Sequence, residues 1–279
     1  MISNEKRNQI IQSFKEHVIQ QHADKYSEDF LTFLEIYFVS IPVESLADWS
    51  VDTAIKMAWS HWSFLQNRPA NQDLCRFITD DQGEMVFELV TDDMPFIIDS
   101  ILIKLNGLGL TVRSLQNVAD IRVTREKNGQ FKQFVTDGMH SHIKEAYCRI
   151  GLENSDMGHL NTVLESIQVV LRDVRYAVDD WEKMQHAMRT VKDQLVNLKS
   201  HPDFKSSVDE TCQFLAWLAQ YFTFIGSRTY KIIEQEGRAA LQLIPGSELG
   251  VLRCKLENSQ SDHTKWIQYP PSEQLERQD

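Results

Sequence analysis

The stretch Met85–Arg125, MVFELVTDDMPFIIDSILIKLNGLGLTVRSLQNVADIRVTR, sets how the rest of the chain is read. Met85 to Val90 carries five apolar residues in six, long enough for a strand and too short for a helix. Thr91-Asp92-Asp93 breaks it. A carboxylate just ahead of a helix can accept hydrogen bonds from the first unpaired backbone N–H groups, and Pro95 suits a first-turn position. The pattern therefore predicts a helix starting between Asp93 and Pro95, with Asp92 or Asp93 as its cap. Ile97, Ile98, Ile101, Leu102 and Leu105 give that helix one apolar face, and Gly107 is its expected stop. With the return strand Thr111–Arg125 this makes a split β-α-β unit of ferredoxin type, its open helix start beside the strand ends.

Upstream, Ile10, Ile11, Phe14 and Val18 recur at helical spacing, and Ser27 can cap a helix carrying Phe30, Leu31, Leu34 and Phe38 that Pro42 ends. A third helix runs from about Asp52 to Gln66, where His61 beside Trp62 reads as a packed helix end before it reads as a ligand. Cys75–Thr79 and Met85–Val90 form a hairpin around Asp80-Asp81-Gln82-Gly83. Downstream, Lys127-Asn128-Gly129 is a hairpin turn, and Phe131–Thr136 and Ser141–Ile150 are strands. His140 and His142 share a strand face, but without a third ligand at a recognisable spacing a polar face is the plainer reading.

From Leu160 to Leu198 apolar residues alternate at threes and fours, the mark of coiled-coil-like packing against a partner or back on the chain itself. Asp179-Asp180 favours two helices over one continuous rod. Ser207 and Glu210 have the form of a capping box, and Phe222–Ile225, Tyr230–Ile233 and Ala239–Ile244 are short strands, the last two joined around Glu236-Gly237. The split unit needs a fourth strand, which residues 156–200 do not offer. Either Phe222–Ile233 or the Cys75–Val90 hairpin must supply it.

The 279 residues carry 40 acidic against 29 basic side chains, a net charge of −11, which argues against a nucleic-acid partner. No apolar run approaches the roughly 20 residues of a membrane span and the start lacks a signal peptide's apolar core, so a cytoplasmic protein is expected. Cys75, Cys148, Cys212 and Cys254 are too widely spaced to signal zinc or a disulfide framework. Chemistry is equally unmarked. Gly107-Leu108-Gly109 lies after a helix and before a strand, the reverse of a dinucleotide fingerprint, and Gly226-Ser227-Arg228 lacks a nucleophile elbow. Asp92, Asp93 and Asp99 cluster, but helix capping explains them more simply than acid–base work. No catalytic residue, metal site or resident cofactor is assigned.

Asp93-Met94-Pro95-Phe96-Ile97-Ile98-Asp99-Ser100, followed by Asn106-Gly107-Leu108-Gly109-Leu110-Thr111-Val112, resembles the first ACT-like module of the large NAD-dependent glutamate dehydrogenases of bacteria. Ser60-His61-Trp62-Ser63-Phe64 and Asn67-Arg68-Pro69 extend the resemblance upstream. Leu171–Trp181, Phe214–Leu218, Phe222–Gly226 and Pro245–Arg253 extend it downstream, in order, so that it covers residues 25 to 253.

That resemblance implies an α+β fold: an N-terminal helical leader, a ferredoxin-like (ACT) βαββαβ-type sandwich, a long helical segment and the start of a second α+β module. The expected divisions are 1–70 for the leader, 74–178 for the ACT-like domain, 179–222 for a helical connector, 223–256 for the second module and 257–279 for a flexible tail. It also implies the N-terminal regulatory portion of a much longer enzyme, with NAD held by a distant catalytic part and the rest of that chain, in a homo-oligomer, as partner. ACT modules bind small amino acids at the turn between first strand and first helix, often between two modules. Here that turn is Asp92, Asp93, Met94, Pro95, Phe96 and Ile97, with Asn106, Gly109 and Thr111 as further lining. Helix-start N–H groups would take the effector's carboxylate, and Asp92 or Asp93 its ammonium. Phe96 departs from the small residue usual after the proline, so its ring is expected to fill the pocket. A purely structural assembly module is the alternative.

Overall fold

A computed structural model describes residues 2–22, 26–135, 142–153, 159–197, 205–235, 238–253 and 264–266. The chain divides into two compact units, Met1–Leu171 and Arg172–Asp279.

The first unit begins with four helices, α1 (Ile2–His22), α2 (Glu28–Phe38), α3 (Val43–Asp48) and α4 (Val51–Leu65). Ser27 caps α2 as its sequence predicts, its Oγ accepting the Phe30 N–H at 3.3 Å. Ser50 does the same for α4, accepting from the Thr53 N–H at 3.1 Å. Pro42 does not end α2, which stops at Phe38; it precedes α3, a short helix the periodicity did not reveal. Then come β1 (Leu74–Thr79), β2 (Met85–Asp92), α5 (Ile97–Gly107), β3 (Val112–Arg125), β4 (Phe131–Phe134), β5 (Ile143–Leu152) and α6 (Leu160–Asp179), whose last turns lie past the unit boundary.

The strands form one five-stranded sheet in the order β1-β2-β5-β3-β4, antiparallel at every step. β5 therefore lies between β2 and β3, and β2-α5-β3 is the split unit foreseen from the sequence. The fourth strand comes from the hairpin: β1 pairs with β2 from Leu74↔Val90 to Thr79↔Met85. The fold is thus α+β as expected, but the strand order along the chain is not βαββαβ. The outer edge of β2 is filled by the strand before it, which closes a short loop where a strand arriving after α6 would close a long one. The Phe222–Ile233 alternative is not the source.

One face of the sheet lies under the leader. Val90, Tyr147, Val118, Ile121, Val123 and Phe131 join Phe14, Phe30, Phe33, Phe38, Trp62 and Leu65 in a single core. The opposite face carries Phe87 and Leu89 beside their cross-strand partners Ile150 and Cys148, all buried. There α5 packs on β3, and Gln168 of α6 hydrogen-bonds the Cys75 thiol on β1. Cys75, Cys148 and Cys212 are unpaired thiols, and burial pushes the Cys148 thiol up to about 12.

Between leader and sheet runs a buried ionic layer. Arg76, Glu88 and Arg149 stand side by side on β1, β2 and β5 in direct register. The Glu88 carboxylate, fully buried, accepts from Arg76 Nη2 at 2.7 Å, Arg149 Nη1 at 2.8 Å and Ser60 Oγ of α4 at 3.1 Å. Two rows along, buried Glu145 accepts from Arg68 Nη1 and Arg125 Nε at 2.7 Å, Arg125 Nη2 at 2.9 Å and the Tyr147 hydroxyl at 3.0 Å. Arg68 also donates to Asp92 Oδ1 at 2.6 Å, and Arg125 Nη1 to the Leu65 carbonyl at the end of α4 at 2.9 Å. Burial works against the Arg68 charge, but Glu145 and Asp92 outweigh it and raise its pKa.

His61 of α4 belongs to the same layer and is the packed histidine its sequence implied. Its Nε2 lies 3.0 Å from the Leu89 carbonyl, which can only accept, so Nε2 carries the proton and Nδ1 accepts from the Tyr37 hydroxyl at 3.1 Å.

The second unit contains α7 (Trp181–Asn197) and α8 (Lys205–Tyr221), the short pair β6 (Gly226–Ser227) and β9 (Leu249–Gly250), and the sheet β10-β8-β7 made by β7 (Tyr230–Gln235), β8 (Arg238–Leu243) and β10 (Thr264–Trp266). α6 and α7 are separate helices, as Asp179-Asp180 indicated. Asp180 does not cap α7 with its side chain, however. Its buried carboxylate accepts the Gly250 N–H at 2.9 Å and Lys183 Nζ at 3.0 Å, and pairs with Arg253. Gly250 has φ +61 and a Cβ there would collide with the Ile225 carbonyl, so only glycine fits.

α7 and α8 run antiparallel, with Gln185 Nε2 donating to the Ala219 carbonyl at 3.4 Å and the Cys212 thiol beside the Lys192 carbonyl at 3.9 Å. Along the α7 seam Met184 is buried and Met188 and Leu195 are partly buried, while Trp181 and Val191 are about half exposed. Leu198 lies outside the described residues. Ser207 sits inside α8 and its carbonyl accepts from the Thr211 hydroxyl, so no capping box opens this helix. Phe222–Ile225 is not a strand, the Glu236-Gly237 turn lies outside the described residues, and β10 falls within the stretch expected to be a tail.

Two consequences are measurable. Glu145→Ala leaves two buried guanidinium groups without their shared carboxylate and is expected to lower the unfolding free energy in urea by about 3–5 kcal/mol; a loss below about 1 kcal/mol would mean that water reaches the layer. Burial lowers the His61 pKa from 6.5 to about 4, a shift that nearby Glu88 only partly opposes. Between those values the unfolded chain binds a proton that the folded chain refuses, so stability falls as pH drops through this window. Urea titrations from pH 7 to pH 4 should show His61→Gln losing roughly 3 kcal/mol less than the parent chain across it. Parallel profiles would contradict a neutral buried His61.

Candidate functional site

The turn between β2 and α5 is stitched to two neighbouring strand ends. The Asp93 N–H donates to the Lys144 carbonyl of β5 at 2.9 Å, and Asp93 Oδ2 accepts the Asp120 N–H of β3 at 3.1 Å. Asp120 sits in a β-bulge with φ 55, and its carboxylate lies 2.7 Å from Lys144 Nζ. Lys144 holds that exposed carboxyl below its usual range, with Arg122 adding to the effect.

Neither aspartate caps α5, which corrects the sequence expectation. Asp92 is drawn to Arg68 and Asp93 to the Asp120 backbone. The N-cap is Phe96, in the left-handed region at φ 71, ψ −1, with no side-chain cap bond. Met94 and Pro95 precede the helix and do not open it. The Phe96 ring is 50% exposed, so it does not plug a cavity, while the next residue, Ile97, is buried. At the other end Gly107 is the last helical residue, and the chain turns at Gly109, φ +77. The Gly109 N–H reaches the Asn106 carbonyl and the Leu110 N–H the Leu105 carbonyl, each at 3.0 Å, which is a Schellman closure. The Thr111 carbonyl accepts from the Glu153 N–H at 3.0 Å.

Asp92–Ile97 and the group Asn106, Gly109 and Thr111 therefore stand at opposite ends of α5. Its 11 residues separate them by roughly 16 Å. One chain does not bring both groups onto one small ligand.

Asp92 also lines a cleft of ≈ 300 Å³ on the leader side of the sheet, with Arg68, Thr124, Arg125, Lys127 and His142 among its walls. Cations and the carboxylates of Asp92 and Glu126 line the same space. His140 lies outside the described residues, and among the described residues no group of three metal-ligating side chains converges. No helix among them is long and apolar enough to cross a membrane.

Residues 33–167 match the family model described as glutamate dehydrogenase, ACT1 domain. The match opens within α2 and closes within α6, taking in the whole sheet and α5. That likeness takes in just under half of the chain. The chain is also similar to two curated proteins named NAD-specific glutamate dehydrogenase. That of Halomonas elongata is 29% identical over 89% of this chain and 16% of its own length. That of Pseudomonas aeruginosa is 24% identical over 84% of this chain and 15% of its own length. The chain thus spans about one sixth of the relatives it matches.

Two features of the ACT1 region escaped sequence reasoning. One is the left-handed backbone at Phe96, for which an aromatic residue gives no signal. The other is the pairing of Arg68 with Asp92, 24 positions apart. An arginine three residues past the end of α4 was the available hint.

Because the Phe96 ring is half exposed and its φ is one that glycine adopts freely, Phe96→Gly should change the unfolding free energy by less than about 1 kcal/mol. A loss of about 3–5 kcal/mol, as for a buried ring, would show that it fills a cavity.

Proposed function

We propose that this chain is the regulatory and assembly segment of an NAD-dependent glutamate dehydrogenase, an enzyme that oxidatively deaminates L-glutamate to 2-oxoglutarate with NAD. The ACT1 match over residues 33–167 carries the reading. In it the segment performs no catalysis, and NAD belongs to the catalytic part of the longer protein.

The regulatory device in this proposal is the β2–α5 turn, taking a small amino acid. The start of α5 has no side-chain cap, which leaves backbone N–H groups for a carboxylate. Asp92 and Asp93 stand within a few residues of it for an ammonium, and the cleft at Asp92 offers both signs of charge to a zwitterion. Asn106, Gly109 and Thr111 would meet the ligand from a second copy of the module, since α5 holds them at its far end.

A second reading, assembly without a ligand, is favoured by the outer side of α5. There Phe96, at the N-cap, is 50% exposed and Ile103, within the helix, 73%.

A thermal-shift scan of the purified chain against the twenty amino acids separates the two. A ligand that binds only the folded state raises the melting temperature, by about 2.7 kcal/mol of stabilisation at a hundredfold excess over Kd. One or two amino acids should give a reproducible rise that Asp93→Asn abolishes. No rise at millimolar concentration, with an oligomeric mass that falls on Ile103→Lys, would reject sensing in favour of assembly alone.

A further inference from the structure

A cleft of ≈ 500 Å³ lies between the leader and the first half of β3, remote from the β2–α5 turn. That volume is in the range of about 300–1,000 Å³ typical of small-molecule sites. Its walls include Ser45, Trp49, Arg113, Gln116, Asn117 and Arg149. No carboxylate is among them, although the chain as a whole carries −11.

Two local features give this cleft a chemistry. The register of β3 against β5 slips between Val112 and Ser114, which leaves Arg113 as the extra residue of a β-bulge. Bulges re-aim the side chain they carry, and this one sets a guanidinium at the cleft mouth. Arg149, at the cleft floor, is nearly fully buried and is held by Glu88 at 2.8 Å and Asp80 at 3.3 Å. Arg113 pairs with Glu84. A guanidinium has five N–H donors, so these contacts leave both arginines donors to spare. The Asn117 backbone carbonyl is already engaged by the Ser40 hydroxyl at 3.1 Å, so the strand itself is fixed.

We propose that this cleft binds a small planar organic anion of mononucleotide size. Its ring packs at Trp49, and its anionic group lies between Arg113 and Arg149. The site is independent of the effector turn, because none of its wall residues belongs to that turn.

Isothermal titration of the chain with AMP tests the assignment, with adenosine and inorganic phosphate as separate arms. AMP should bind below millimolar concentration and more tightly than either fragment. Arg113 is 62% exposed, so Arg113→Ala should fold normally and weaken AMP about three- to fivefold. Ser45→Glu, which puts a carboxylate into the wall, should weaken it more than tenfold while the melting temperature shows the fold intact. Phosphate binding as tight as AMP would reduce the cleft to a plain anion site and overturn the ring assignment. No AMP binding at millimolar concentration, or binding that neither variant alters, would overturn the site altogether.

Discussion

Two buried carboxylates, Glu88 and Glu145, each gripped by two arginines, hold the first unit together. Taking an ion out of water costs several kcal/mol, and a buried pair returns that only when its geometry is good and its other lone pairs are satisfied. Both conditions are met here. Glu88 has Arg76, Arg149 and Ser60, and Glu145 has Arg68, Arg125 and Tyr147. Such a layer adds less net stability than the aromatic core beside it. Its effect is on registry. Ser60 and the Leu65 carbonyl belong to α4, so the leader can shift against the sheet only by leaving buried charges unmatched. The ACT1 match starting at residue 33, inside α2, fits a unit in which leader and sheet are one body.

The apolar skeleton was legible because it is periodic. Strands with five apolar residues in six, helices with one greasy face and a serine cap at Ser27 all announce themselves locally, and the residues around Pro95 carry a family resemblance. What the sequence concealed is non-local. Glu88 interrupts an apolar strand and so needs a buried partner, but Arg149 is 61 residues away and becomes its neighbour only through the β2–β5 register. The fourth strand was undecided for the same reason. The capping error at Asp92 and Asp93 has a related cause: both carboxylates were free to cap by sequence and were claimed by tertiary partners instead.

The candidate site was legible only in part. The turn was located correctly between β2 and α5, yet the positions assigned to its lining divide between the two ends of the helix. Phe96 took the left-handed conformation that its place in the turn demands without the glycine that would have signalled it. The proposed cleft by Asn117 left still less trace, since its walls come from three separate stretches and its distinguishing mark is a strand bulge that carries an arginine.

Hydrogen exchange of the backbone amides, followed by mass spectrometry, tests most directly whether the ionic layer makes leader and sheet one cooperative body. Amides of α2, α4, β2 and β5 should then exchange with a common opening free energy, and Glu145→Ala should lower all of them together. Exchange of the α2 and α4 amides at a markedly lower free energy than those of β2 and β5, unaffected by that substitution, would contradict the account.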